Sequence, residues 1–61
     1  MSTLYIVTVE EAEDGAFYEE PVGFDSEADA LAYATKQPAP KDHVVAVYDC
    51  HLIKSFDPNQ R

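Results

Sequence analysis

The sequence predicts a small α+β domain in which one helix packs on an antiparallel sheet of three or four strands, in the order β-β-α-β. Two runs rich in β-branched and aromatic residues, 3–9 and 43–49, have the composition of strands. Between them, Ser26 begins an alanine-rich stretch with helical spacing that Pro38 ends. Because a chain of 61 residues is too short for two cores, we expect a single acidic domain spanning 1–61.

The first run predicts a central strand, because both of its faces are largely apolar. Strand alternation places two sets of side chains on opposite faces, Leu4, Ile6 and Thr8 on one and Tyr5, Val7 and Val9 on the other. The pair Asp14-Gly15 then favours a tight turn, since glycine accepts a positive φ without a steric clash. We expect residues 16–20 to form a shorter returning strand, which Pro21 ends because proline cannot donate to a sheet.

The helix is predicted over 26–37, with Ser26 as N-cap accepting a hydrogen bond from the amide of Asp29. Acidic residues in the first turn and Lys36 in the last complement the helix dipole. Helical spacing predicts a narrow buried face composed of Ala28, Leu31, Ala32 and Thr35.

After the helix, residues 43–49 are expected to pair with the first strand in the same sheet. Residues 52–56 either extend that sheet or form a short separate strand. The last segment, 57–61, is predicted to be a frayed tail.

Charge is the most informative feature for function. The formal net charge is −8, nine of the twelve acidic residues lie between Glu10 and Asp29, and no lysine or arginine precedes Lys36. Such a surface repels phosphates, which argues against direct contact with nucleic acid and with negatively charged membranes. No apolar run is long enough to span a bilayer. We therefore expect a protein partner with a basic groove; the alternative is a solvated face that only keeps the domain soluble.

The residues that could perform chemistry do not form a recognisable site. Cys50 and His51 are neighbours, so on a strand they would point to opposite faces. With His43 they make three zinc ligands at most, whereas structural zinc takes four. We expect a buried, inert Cys50; as the only cysteine, it also allows no internal disulfide, which fits a reducing cytoplasm. We predict no catalytic residue, no metal, no cofactor and no enzymatic activity.

Tyrosines are candidate interface residues because they offer a large contact area at little entropic cost. Tyr33 falls opposite Leu31 on the predicted helix and is expected to be exposed, whereas Tyr5 is expected to be structural. The predicted partner-binding residues are Glu19, Glu20, Asp25, Glu27, Asp29, Tyr33 and Tyr48.

One resemblance covers roughly residues 4–50. It rests on the segments Thr8-Val9-Glu10-Glu11, Phe17-Tyr18-Glu19-Glu20-Pro21-Val22, Asp25-Ser26-Glu27-Ala28-Asp29-Ala30-Leu31-Ala32 and Gln37-Pro38-Ala39, followed by a valine-rich strand that ends at Cys50. In these segments the chain resembles the small host RNA polymerase inhibitors of bacteriophage T7 and its relatives.

The resemblance implies a β-β-α-β phage protein in the host cytoplasm that binds bacterial RNA polymerase near its downstream DNA channel and blocks initiation. The family's acidic strip has counterparts in Glu20, Asp25, Glu27 and Asp29. Two arginines that help the family bind the polymerase have no counterparts in this chain, because Ala46 and Tyr48 occupy their positions.

Host RNA polymerase is therefore the first predicted partner, bound by a chain that is monomeric when free. Two alternatives stay open. One is a DNA-mimicking inhibitor of another host nucleic-acid enzyme, such as a defence nuclease or a CRISPR complex. The other is an acidic adaptor protein with no inhibitory role.

Overall fold

A computed structural model describes residues 4–60, apart from the side chain of Gln60, and shows one helix packed on a four-stranded antiparallel sheet. The elements are β1 (Tyr5–Glu11), β2 (Val22–Phe24), α1 (Glu27–Lys36), β3 (His43–Tyr48) and β4 (Leu52–Phe56), followed by a 3-10 turn (Pro58–Gln60). The strand order is β2-β1-β3-β4. The predicted α+β class is confirmed, with four strands in the sheet.

The two long strands form the centre of the sheet, as predicted. β1 and β3 are antiparallel, with Val7 opposite Val47 and Val9 opposite Val45. β-branched residues suit these positions because their stiff side chains pack well on a pleated surface. The predicted strand began at Thr3, which lies outside the described residues.

The second strand was predicted in the wrong place. Residues 16–20 contain only an isolated bridge from Phe17 to Glu10, and the strand that pairs with β1 is Val22–Phe24. After Phe17 the amide of Tyr18 still donates to the carbonyl oxygen of Val9 (2.8 Å), but the chain then leaves the sheet. Pro21 lacks an N–H donor and cannot join the hydrogen-bond ladder, so it interrupts the pairing with β1. Pairing resumes after it, at Val22.

The turn between β1 and Phe17 agrees with the prediction. Gly15 has a φ of 73°, and its amide donates to the carbonyl oxygen of Glu11 (2.9 Å). The carboxylate of Asp14 accepts from the amide of Ala16 (2.9 Å). Glycine is required here because a Cβ disfavours this backbone conformation.

The helix begins and ends as predicted. Ser26 is the N-cap, and its hydroxyl oxygen accepts from the amide of Asp29 (3.4 Å). At the other end the amide of Gln37 donates to the carbonyl oxygen of Ala34 (3.2 Å).

The buried face of the helix differs from the predicted one. Ala30 and Ala34 are fully buried and Leu31 is half-buried, whereas the other predicted members, Ala28, Ala32 and Thr35, are exposed. Two pairs of alanines compete in this sequence, Ala28 with Ala32 and Ala30 with Ala34, and both pairs have the four-residue spacing of one helix face. The pair beside Tyr33 and Leu31 is the buried one, because those larger side chains pack against the core when Ala30 and Ala34 face the sheet.

The core lies between the helix and one face of the sheet. Its buried members are Val7, Val9, Ala30, Ala34, Val45 and Val47, and half-buried residues such as Phe24, Tyr33, Ile53 and Phe56 pack around them. The other face of the sheet carries no helix among the residues described.

The C-terminal part completes the sheet. β4 pairs antiparallel with β3 across an irregularity at Val47 and Tyr48, so residues 52–56 extend the sheet. The segment 57–61, expected to fray, contains the 3-10 turn, and the side-chain amide of Asn59 donates to the carbonyl oxygen of Pro40 (2.9 Å). Arg61 lies outside the described residues. In residues 4–60 no helix has the length and apolar character needed to cross a membrane.

Candidate protein-interaction surfaces

Five of the predicted partner-binding residues lie along one side of the sheet, which we call the acidic edge: Glu19, Glu20, Asp25, Glu27 and Asp29. The first two lie in the loop that leads into β2, an edge strand, and Asp25 follows that strand. The last two lie in the first turn of the helix, which starts three residues after β2 ends. Short connections therefore hold all five near the same strand.

Every carboxylate of the acidic edge is exposed. Among residues 4–60, no described contact pairs any of them with a lysine. Lys54 lies on β4, at the opposite edge of the sheet. The acidic edge therefore presents negative charge that is not neutralised within the described chain, as a surface that attracts a basic partner requires.

Tyr33 was predicted to be exposed, and this prediction is wrong. Its ring is half-buried and packs against Phe24 of β2, with ring centroids 5.1 Å apart. The choice of helix face explains the difference, since burying Ala30 and Ala34 turns Tyr33 toward the sheet. Its proposed contact with a partner stays a prediction.

Tyr48 lies on the sheet face that the helix leaves uncovered. Its hydroxyl donates to Oε1 of Glu10 (2.8 Å), and the hydroxyl of Thr8 donates to the same oxygen (2.6 Å). Partial burial raises the pKa of Tyr48, and the hydrogen bond and negative charge of Glu10 raise it further. These contacts hold the Glu10 carboxylate in a fixed place on an otherwise apolar face.

Around this carboxylate is an open groove of about 670 Å³, with walls that include Leu4, Ile6, Phe17 and Tyr48. Leu4 and Phe17 are 57% and 59% exposed, although both are large and apolar. Thr8 and Ala46 are small residues of the same face and are 3% and 1% exposed, because longer neighbouring side chains screen them. We call this concavity the open-face groove.

Sequence reasoning missed the open-face groove, although one signal was present. Strand alternation had placed Leu4, Ile6 and Thr8 on a common face. A single predicted helix can cover only one face of a sheet, so an apolar second face in a small domain indicates an uncovered surface. The contact between Glu10 and Tyr48, which are 38 residues apart in sequence, depends on strand register and had no such signal.

The cysteine and histidines do not converge. His43 begins β3, while Cys50 and His51 lie in the turn after its other end, roughly 20 Å away along an extended strand. Within residues 4–60 no group of three His, Cys, Asp or Glu side chains is placed to hold a metal ion. The prediction that Cys50 is buried is wrong: it is exposed, because it occupies the tight β3–β4 turn with a φ of 96°.

Comparisons with known proteins add no relative. No protein-family profile matches the chain, and neither the curated proteins nor the solved structures give a match. The resemblance to the phage polymerase inhibitors therefore stays a prediction.

Proposed function

We propose that this protein is a phage-type inhibitor that acts in the host cytoplasm by binding a nucleic-acid enzyme. The acidic edge enters a basic channel of that enzyme and competes with DNA for it. The first candidate target is bacterial RNA polymerase, and the consequence of binding is a block to transcription initiation.

The observation that carries the proposal is the exposure of all five carboxylates of the acidic edge, which lie in the segments flanking the edge strand β2 and in the first turn of the helix. Channels built for DNA are lined with lysine and arginine, so they attract a compact array of negative charge. β2 and the first turn of α1 position Asp25, Glu27 and Asp29, which limits the entropy lost on binding.

The last long strand favours a second candidate target. Ala46, which stands where the resembled family carries an arginine, is 1% exposed and offers no surface to a partner. Tyr48 stands at the other such position and uses its hydroxyl within the chain, on Glu10. These departures remove the family's cationic grip and support a different DNA-handling enzyme, such as a defence nuclease, as the alternative target.

The test is an inhibition assay with purified bacterial RNA polymerase, run in parallel with a DNA-guided or RNA-guided nuclease. The variant carries Glu19→Gln, Glu20→Gln, Asp25→Asn and Glu27→Gln, which keep side-chain shape and remove four charges. Asp29 is left unchanged so that one carboxylate in the first turn still complements the helix dipole. We expect the wild-type protein to inhibit one enzyme and the quadruple variant to inhibit it at least tenfold less, about 1.4 kcal/mol.

A charge-matched pair serves as the control. Glu19→Gln with Glu20→Gln removes two charges from the acidic edge, and Glu13→Gln with Asp42→Asn removes two from exposed positions elsewhere. Only the first pair should weaken inhibition, and added DNA should compete with the wild-type protein. Full inhibition by a folded quadruple variant would leave the acidic edge as a solubility surface.

A further inference from the structure

The open-face groove combines an apolar wall with one fixed negative charge. Leu4, Ile6 and Phe17 supply the apolar surface, and Tyr48 closes it at the side of β3. The carboxylate of Glu10 lies among them, with Oε1 accepting from two hydroxyl groups. The groove lies on the sheet face opposite the core, whereas the acidic edge follows β2 and the helix start, so the two surfaces are separate.

A carboxylate in apolar surroundings is stabilised by a cation that tolerates partial desolvation. Guanidinium fits this role better than ammonium because it is planar, weakly hydrated and able to bond a carboxylate in the plane of its fork. The aromatic rings of Phe17 and Tyr48 add faces on which a guanidinium can stack. The exposed side chain of Leu4 suits an apolar neighbour of the arginine.

We propose that the open-face groove is a docking site for a protein partner that presents an arginine flanked by apolar residues. Charge complementarity selects this occupant over a second copy of the chain, since two molecules of net charge −8 repel each other and would bring two Glu10 carboxylates together. The inference does not rest on the proposed function, because it concerns a different surface and holds for any partner with such a segment.

The test uses two capped tripeptides as probes, Leu-Arg-Phe and Leu-citrulline-Phe, titrated into the full-length protein labelled with ¹⁵N. Citrulline keeps the planar shape of arginine and removes its charge. We expect the arginine peptide to shift the backbone amide signals of Ile6, Glu10 and Tyr48 saturably, and the citrulline peptide to bind at least tenfold more weakly. This arm needs no substitution in the protein.

The same titrations with two variants of the protein test whether Glu10 binds the charge of the arginine. Glu10→Gln keeps an acceptor oxygen for the two hydroxyl groups and should bind both peptides with similar affinity. Glu13→Gln, in the exposed turn after β1, should retain the wild-type preference for arginine. The proposal is overturned by any of three results: equal binding of both peptides by the wild-type protein, shifts confined to residues 19–29, or self-association of the chain through the same face.

Discussion

At the scale of single residues, Tyr48 and Glu10 show how a contact across the sheet changes chemical behaviour. The phenol of Tyr48 is held neutral by partial burial, by its hydrogen bond to Glu10 and by the negative charge of Glu10, and all three raise its pKa above the model-compound value of 10.0. A neutral phenol donates to the carboxylate, whereas a phenolate would repel it. The pair is therefore stable only while Tyr48 keeps its proton.

This predicts a loss of stability at alkaline pH. Since the folded pKa exceeds the unfolded one, the contribution of Tyr48 is fully present below the unfolded value of 10.0 and is lost as pH rises through the folded value. Urea unfolding between about pH 9 and 11 should show a steeper decline for the wild-type protein than for Tyr48→Phe. In Glu10→Gln the titration of the Tyr48 phenol, followed by the NMR signal of its ring, should move back toward the unfolded value. An unchanged titration in Glu10→Gln would contradict the contact.

Cys50 gives a second prediction at this scale. Its φ of 96° lies in the region that favours glycine, so the Cβ of Cys50 makes this backbone conformation in the β3–β4 turn unfavourable. Cys50→Gly should raise the free energy of unfolding by about 1 kcal/mol relative to Cys50→Ala, which removes the thiol and keeps the Cβ. Urea denaturation of the two variants measures the difference, and equal stabilities would show that the turn is unstrained.

At the scale of elements, the sequence predicts the long strands and the helix ends, because local interactions determine them. β1 and β3 follow from uninterrupted β-branched runs, and the helix ends follow from Ser26 and the proline after Gln37. β2 could not be placed, because three residues carry too little periodicity and the longer segment 16–20, with its adjacent aromatic residues, lies before Pro21. The helix face and the open-face groove depend on which side of the sheet the single helix covers, which is a tertiary choice.

The helix face can be tested by adding bulk. Ala34→Leu places a large side chain where the helix lies directly on the sheet, and should cost about 1–3 kcal/mol of stability. Ala32→Leu adds the same atoms to an exposed position of the same helix and should change stability by no more than about 0.5 kcal/mol. Thermal or chemical unfolding of the two variants gives the comparison; a larger loss for Ala32→Leu would reinstate the face predicted from the sequence.

At the scale of the whole molecule, the acidic edge and the open-face groove offer interactions of different range. Exposed charges act over about a Debye length, roughly 10 Å at 0.1 M salt, and mainly affect the rate of association. Apolar contact in a groove acts only after the surfaces meet and mainly affects the rate of dissociation. A partner that uses both surfaces would be attracted by one and retained by the other.

The quadruple amide variant separates stability from binding. Removing four clustered charges relieves repulsion, while the first helical turn loses the dipole interaction of Glu27, worth about 0.3–1 kcal/mol. We expect the free energy of unfolding to hold or to rise slightly. In stopped-flow experiments with the target enzyme, the association rate of the wild-type protein should fall as salt is raised. The variant should associate more slowly already at low salt, and its rate should depend less on the salt concentration. Salt-independent association of the wild-type protein would favour an apolar interface instead.

The strand order has one further consequence. Placing β2 and β4 at opposite edges separates the five acidic-edge carboxylates from Lys54 by three strand spacings, roughly 14 Å. The protein is therefore an electric dipole as well as an anion. The field of a basic surface exerts a torque on such a molecule during its approach, so the acidic edge turns to the front before contact. A larger share of collisions then begins in a productive orientation, which a uniformly charged sphere of the same net charge would not achieve.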